Sequence, residues 1–145
     1  MKLVLQRVLR SSVSVNNEVV GRIGKGLMIL FGAEKRDDDE AVNALADKVL
    51  NLRIFADDDG KMNRSCLDVK GEVLVVSQFT LAGDCSRGRR PGFDNAAAPE
   101  EAKRLYKNFI KKLVGSKLNI QEGRFGADMQ VDIVNDGPVT FILER

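Results

Sequence analysis

Four strand-like stretches crowd the first 31 residues, and the breaks between them are only two or three residues long. Residues 2–9 alternate Leu3, Leu5 and Leu9 with Val4, Gln6 and Val8, which predicts a strand partly buried on both faces. Ser12–Val15 and Val19–Ile23 flank Asn16-Asn17-Glu18, a hairpin signal. Gly24-Lys25-Gly26 then breaks the chain ahead of Leu27–Phe31, a continuous apolar run of strand length. Strands joined by such tight turns favour antiparallel and mixed pairing over a doubly wound parallel sheet.

Helical period occurs in two places. Val42, Leu45, Ala46, Val49 and Leu50 form one apolar stripe, preceded by Asp37-Asp38-Asp39-Glu40, acids that suit a helix N-terminus. Ala102, Leu105, Tyr106, Phe109, Ile110 and Leu113 form the other. Pro99 fits its start, Glu100 and Glu101 its first turn, Lys111 and Lys112 its last, and Gly115 its end. Between the helices, Arg53–Phe55 reads as a short strand, Asp57-Asp58-Asp59-Gly60 and Val69-Lys70-Gly71-Glu72 as turns, and Val73–Leu81 as an apolar strand. Residues 83–98 read as a loop. Met129–Val134 and Val139–Leu143 read as two strands joined by Asn135-Asp136-Gly137-Pro138. The expectation is one α+β domain over residues 1–145, with a curved sheet and two helices; that length is close to the commonest domain size.

The count that most limits chemistry is zero: the chain has no histidine. That removes Ser-His-Asp and Cys-His nucleophile systems, HExxH zinc sites and a histidine base. Carboxylates, hydroxyls, lysines, backbone dipoles or the substrate itself must do the work. Cys66 and Cys85 form no C-x-x-C pair, and two free thiols in a reducing compartment are the expectation. The acidic runs read as a helix start and a turn, so neither a metal nor a cofactor is expected. MKLVLQRVLRSS carries charges inside its apolar stretch and no small-residue cleavage site, unlike a secretory signal. No apolar run approaches the roughly 20 residues that span a bilayer. A cytoplasmic protein is expected, without a membrane partner.

Three segments carry more polarity than packing requires. Ser77, Gln78, Phe79 and Thr80 lie at the end of a hydrophobic strand, where backbone N–H groups leaving the ladder can form an oxyanion hole; an edge strand with its hydroxyls in water is the other reading. Gly137-Pro138 reads as a turn from its residues alone. Arg87-Gly88-Arg89-Arg90 is the one dense basic cluster, suited either to phosphate contacts or to plain solvation. Phe79 and Phe93 are candidates to stack on a base, or to pack in the core.

Taken together, these residues resemble the D-aminoacyl-tRNA deacylase family, nearly end to end. The resemblance rests on Gln6-Arg7-Val8, Ser77-Gln78-Phe79-Thr80-Leu81, Arg87-Gly88, Arg90-Pro91, Phe125-Gly126-Ala127-Asp128-Met129 and Asn135-Asp136-Gly137-Pro138-Val139-Thr140. It implies a barrel-like sheet with flanking helices, in a homodimer with its active site at the interface. Aminoacyl-tRNA is the implied substrate, and hydrolysis of its D-aminoacyl ester the implied activity. Ser77–Thr80 would line the pocket for the aminoacyl-adenosine end. Gly137-Pro138 would adopt a cis peptide and enter the partner's pocket, where it excludes an L side chain. Arg7 would fix that segment, with Met129, Asn135 and Thr140 in support, and Arg87, Arg89 and Arg90 would meet the RNA. Glycine has no side chain to exclude, so glycyl-tRNA is an implied substrate too. One departure is visible: the family loop commonly reads Arg-Pro-Ser-Phe, and here it is Arg90-Pro91-Gly92-Phe93.

The missing histidine fits this reading, because an activated ester needs a positioned water and oxyanion stabilisation more than a strong base. Direct attack by water, assisted by the terminal ribose hydroxyl, is expected; Thr80 as nucleophile would need a basic partner. Two other functions stay open on the residues alone. One is a non-catalytic tRNA- or RNA-binding module using the Arg87–Arg90 loop and the helix lysines. The other is a peptidase or esterase using Thr80 or Ser77.

Overall fold

Lys2–Val15 (β1) is the strand on which the rest of the sheet is assembled. In the computed structural model, which describes residues 1–145, β1 pairs along one edge with Glu18–Ile23 (β2) and with Gly26–Gly32 (β3), both antiparallel. Asn16 and Asn17 turn the β1–β2 hairpin with φ of 52° and 64°, the left-handed pair that a two-residue hairpin turn requires. Glu72–Ser77 (β6) and Ile120–Glu122 (β7) extend the sheet beyond β3, each parallel to its neighbour. Phe55–Ala56 (β4) and Met62–Arg64 (β5) form a separate small ribbon. Gln130–Glu144 (β8) runs antiparallel along the other edge of β1. The sheet curls until β2 approaches β6 and β7, giving a nearly closed, barrel-like shape.

Two helices cover one face, Asp39–Asn51 (α1) and Pro99–Val114 (α2). Asp38 caps α1 by accepting from the Ala41 N–H at 2.9 Å. Pro99 opens α2, with Glu100 and Glu101 in its first turn and Lys111 and Lys112 in its last. Alternation along the strands sorts side chains into two clusters. Leu3, Leu5, Leu27, Ile29, Phe31, Val73 and Val75 face the helices, while Val8, Met28, Leu74 and Val76 fill the inside of the curl with Val13 and Ile23. Each large apolar side chain so buried contributes roughly 1.5–3 kcal/mol. No helix is long and apolar enough to cross a membrane.

Two expectations need correction. The strand predicted over Val73–Leu81 stops at Ser77. Its partner β3 ends at Gly32, so the Gln78 N–H to Phe31 carbonyl bond, 2.7 Å, is the last rung, and Phe79–Ala82 coil into a 3₁₀ turn. The two strands predicted around Asn135–Pro138 are one strand, β8, whose halves both pair with β1. Residues 136–139 bulge out opposite Arg7 instead of reversing the chain, because the register passes from Gln6–Thr140 to Val8–Asn135.

Candidate active site

The hydrophobic β6 delivers Ser77 to the rim of the sheet, and the 3₁₀ turn then swings Phe79 and Thr80 outward. Gly32 makes this possible: a Cβ there would lie 2.8 Å from the Leu81 Cβ and 3.0 Å from the Gln78 carbonyl. Within the turn the Leu81 N–H donates to the Gln78 carbonyl at 3.2 Å. The first N–H groups of a helical turn have no partner inside it; here they belong to Phe79 and Thr80. The Gln78 side-chain amide donates to the Thr80 hydroxyl. That amide cannot take up a proton, and no carboxylate or lysine hydrogen-bonds the Thr80 hydroxyl, so nothing in the chain activates it as a nucleophile.

Beside this turn lies a cavity of about 480 Å³. Ser77, Gln78 and Phe79 line one side, and the Phe125–Met129 segment lines the other. Ala96, Ala97 and Ala102 form a small-residue wall, which leaves the space open. Phe31 packs edge-on against Tyr106 at 5.6 Å between centroids, and Tyr106 against Phe125 at 5.6 Å, so the aromatic lining is braced from behind. The Tyr106 hydroxyl is spent on the Val75 carbonyl at 2.8 Å, and burial pushes its pKa above the ordinary tyrosine value. Asp128 is the one ionisable side chain in the lining. Phe79 is 59% exposed and packs at a tilt of 53° against Phe93, 5.0 Å between centroids, forming an aromatic lip at the mouth. Met129 lines the cavity, whereas Thr80 does not.

The β8 bulge is a second, separate construction. Arg7 donates from Nε to the Asp136 carbonyl at 3.2 Å, pairs with the Asp136 carboxylate at 3.1 Å, and donates from Nη1 to the Ile54 carbonyl at 2.6 Å. The Asn135 amide nitrogen donates to the Arg7 and Val139 carbonyls at 3.1 and 3.0 Å, while its oxygen accepts from the Val139 N–H at 3.1 Å. Gly137 has φ 134°, the Gly137–Pro138 peptide is cis, and a Cβ on Gly137 would lie 2.6 Å from the Val139 side chain. The Gln6 amide donates to the Thr140 hydroxyl across the strands at 3.2 Å. None of Arg7, Asn135, Gly137, Pro138 or Thr140 lines the cavity. Arg7 pairs with Leu27 and Ser77 with Phe31, four residues further along β3, which is about 13 Å along the strand direction alone.

Arg87, Arg89 and Arg90 sit at the tip of an exposed loop closed by paired bonds between Asp84 and Gly92, at 2.8 and 2.9 Å. The Ser86 N–H holds the Asp84 carboxyl below the usual carboxylate range and tightens that loop. The loop leads back to Phe93 at the mouth. No group of three Cys, Asp or Glu side chains gathers to hold a metal ion. The sequence reading did not single out the alanine wall or the Ile54 carbonyl. Ala96-Ala97-Ala98 ahead of Pro99 was the available signal for the wall, since connecting loops are seldom so apolar. Nothing in the sequence marks a carbonyl.

Comparison with known proteins bears directly on this geometry. The family model described as D-Tyr-tRNA(Tyr) deacylase matches residues 4–144. The D-aminoacyl-tRNA deacylase of Pelobacter propionicus is 56% identical over 145 residues, covering all of both chains. That of Salmonella typhimurium is 54% identical, covering 99% of each. Among solved structures, the c-Myc DNA Unwinding Element Binding Protein superimposes with a TM-score of 0.94 at 42% identity, covering 100% of this chain and 99% of that one. A probable eukaryotic D-amino acid tRNA deacylase shares the fold, with a TM-score of 0.83 at 21% identity over 98% and 97% of the two chains. Full-length identity and the family model agree: this chain belongs to the D-aminoacyl-tRNA deacylases, the D-Tyr-tRNA(Tyr) deacylase family of enzymes.

Proposed function

We propose that the cavity beside Ser77–Thr80 hydrolyses the ester of D-aminoacyl-tRNA, releasing free D-amino acid and tRNA. Water attacks the ester carbonyl, and the Phe79 and Thr80 N–H groups hold the oxyanion that forms. The carbon–oxygen bond to the ribose then breaks. The proton lost by water reaches the leaving ribose oxygen through the neighbouring ribose hydroxyl. No side-chain base is required, in keeping with the absence of histidine. One observation carries this reading: Phe79, at the start of a turn whose first N–H groups have no backbone partner, lines a cavity of about 480 Å³ with an aromatic lip.

The working unit is a homodimer, and Gly137–Pro138 of each subunit completes the other's pocket. Two features support this. The bulge is held rigidly by Arg7 and Asn135, yet it lies outside its own subunit's cavity. D and L esters carry the same groups, so strong discrimination needs a fixed obstacle near the α-carbon. Glycyl-tRNA presents nothing to that obstacle and is a second substrate. Arg87, Arg89 and Arg90 contact tRNA phosphates outside the pocket.

The test is incubation with D-aminoacyl-, L-aminoacyl- and glycyl-tRNA. The D ester should disappear about a hundredfold faster than the L ester or more, with glycine on the D side of that divide. Binding without turnover would favour an RNA-binding module, and cleavage of peptides or simple esters a Thr80 or Ser77 hydrolase.

A further inference from the structure

Past Phe125, a second depression of about 360 Å³ adjoins the cavity, and that ring lines both. It lies between β2, α2 and the end of β7. Its charged walls are Lys103, Lys107, Glu122 and Arg124, a net of +2. The whole chain carries +2, so this one small groove accounts for the net charge of the molecule and the remainder is balanced.

The pairing pattern along α2 makes this groove distinct. On the side toward α1, Arg104 is matched by Asp39 and Glu101, and Lys112 by Asp47. On the groove side, Lys107 reaches Glu122 at 3.0 Å, but Lys103 and Arg124 have no carboxylate within 4.0 Å. Lys103 and Lys107 are one helical turn apart, where like charges repel. All three cations are exposed, and Lys103 and Arg124 are unpaired. Cations without partners beside a pocket suit a polyanion that enters the pocket with one end.

We infer that this groove holds the phosphates of the unpaired 3′ strand of tRNA, so that the strand leaves the pocket past Phe125 along Lys103, Lys107 and Arg124. This rests on the proposed reading of the pocket, since the terminal nucleotide must be seated there for its neighbours to reach the groove. Lysines meet phosphates as point charges, and Arg124 can fork onto two phosphate oxygens. The groove binds backbone and reads no base, so it acts alike on tRNAs of different sequence.

The test compares three D-esters, those of adenosine, of the 3′-terminal trinucleotide and of whole tRNA. Lys103→Ala with Arg124→Ala should raise KM about tenfold for the trinucleotide and tRNA esters, and several-fold less for the adenosine ester, which has no phosphate. The salt dependence of the trinucleotide reaction should flatten by about 0.7 for each phosphate that the groove no longer neutralises. Glu122→Gln should act in the opposite sense, lowering KM for the trinucleotide and steepening its salt dependence, an outcome that misfolding cannot imitate. Equal losses on all three esters, or an unchanged salt slope, would overturn the groove while leaving the pocket intact. No turnover of any D-ester by the unaltered protein would overturn the pocket, and the groove with it.

Discussion

β3 and β8 flank the same strand, β1, yet one is sealed and the other is bare. In β3, six of seven residues are buried, Leu30 being the exception. Helices cover one of its faces and the inside of the curl covers the other. In β8, Val139 alone is buried out of 15 residues, and Ile142 is 67% exposed, with Ile133 and Phe141 partly open as well. β8 also ends the sheet, so its outer backbone edge is free. A long edge strand carrying exposed apolar groups invites pairing. The difference teaches that this chain's helices cover half of what its sheet needs covered. A second copy of the chain, as proposed, would cover the rest. The bulge that carries Gly137 and Pro138 belongs to the bare strand.

The sealed side should respond most strongly to substitution. Ile29→Ala should cost about 2–5 kcal/mol in urea denaturation, because a fully buried side chain leaves a cavity. Ile142→Ala in the same experiment, at concentrations low enough to keep subunits apart, should cost under about 0.5 kcal/mol. Equal costs would erase the contrast between the strands.

The bare side should respond in assembly instead. Ile142→Asp should yield monomers in sedimentation and lower D-aminoacyl-tRNA turnover about a hundredfold, since a desolvated interface tolerates an unpaired charge poorly. Circular dichroism should remain that of the folded chain. A monomeric variant with full activity would show that one subunit contains the whole site, and a variant that stays dimeric would place the interface elsewhere.

Arg7→Lys should act on the bulge alone. The guanidinium reaches the Asp136 and Ile54 carbonyls together, and a lysine ammonium is a single point that cannot span both. Rejection of L-aminoacyl-tRNA should weaken by about tenfold, the scale of one lost charged hydrogen bond. The informative quantity is the ratio of kcat/KM for D and L esters. A preserved ratio would mean that Asn135 holds the bulge unaided.

The sealed half was legible in the sequence and the bare half only partly. Val42, Leu45, Ala46, Val49 and Leu50 announce α1, because burial on one face imposes a period that local sequence records. Asn16-Asn17 announces its hairpin through backbone preference. β8 was split in two because Gly-Pro is a turn signal, and what keeps it one strand is distant: Arg7 and Asn135 meet across more than 120 residues. The end of β6 was misplaced for a similar reason. The strand read from its sequence runs to Leu81, but β6 ends at Ser77, where β3 stops offering rungs. Of the candidate site residues named from the sequence, Ser77, Gln78, Phe79 and Met129 share a cavity. The alanine wall and the Lys103–Arg124 groove were not, since residues that shape a space by being small or exposed leave no periodic trace.

The smallest effect tests the same contrast through the two thiols. Cys66 lies in the sealed half with no exposure, while Cys85 stands in the open loop after the 3₁₀ turn. Burial pushes the Cys66 thiol from its usual 9.0 up to about 12, against a weaker downward pull from the Gly71 N–H. The folded state therefore prefers the protonated thiol. Its contribution to stability is complete below pH 9.0 and is lost as the pH rises toward about 12, where the unfolded chain is ionised and the folded one is not. Only thiolate reacts with iodoacetamide. At pH 8, mass spectrometry should find one label on Cys85 within minutes and Cys66 unmodified until urea unfolds the chain. Cys66→Ser should lower stability modestly and leave turnover of the D ester unchanged, because the thiol lies away from the cavity. Rapid double labelling of the native protein would mean that the floor beneath Gly71 opens readily, and the sealed side would then be less rigid than its packing implies.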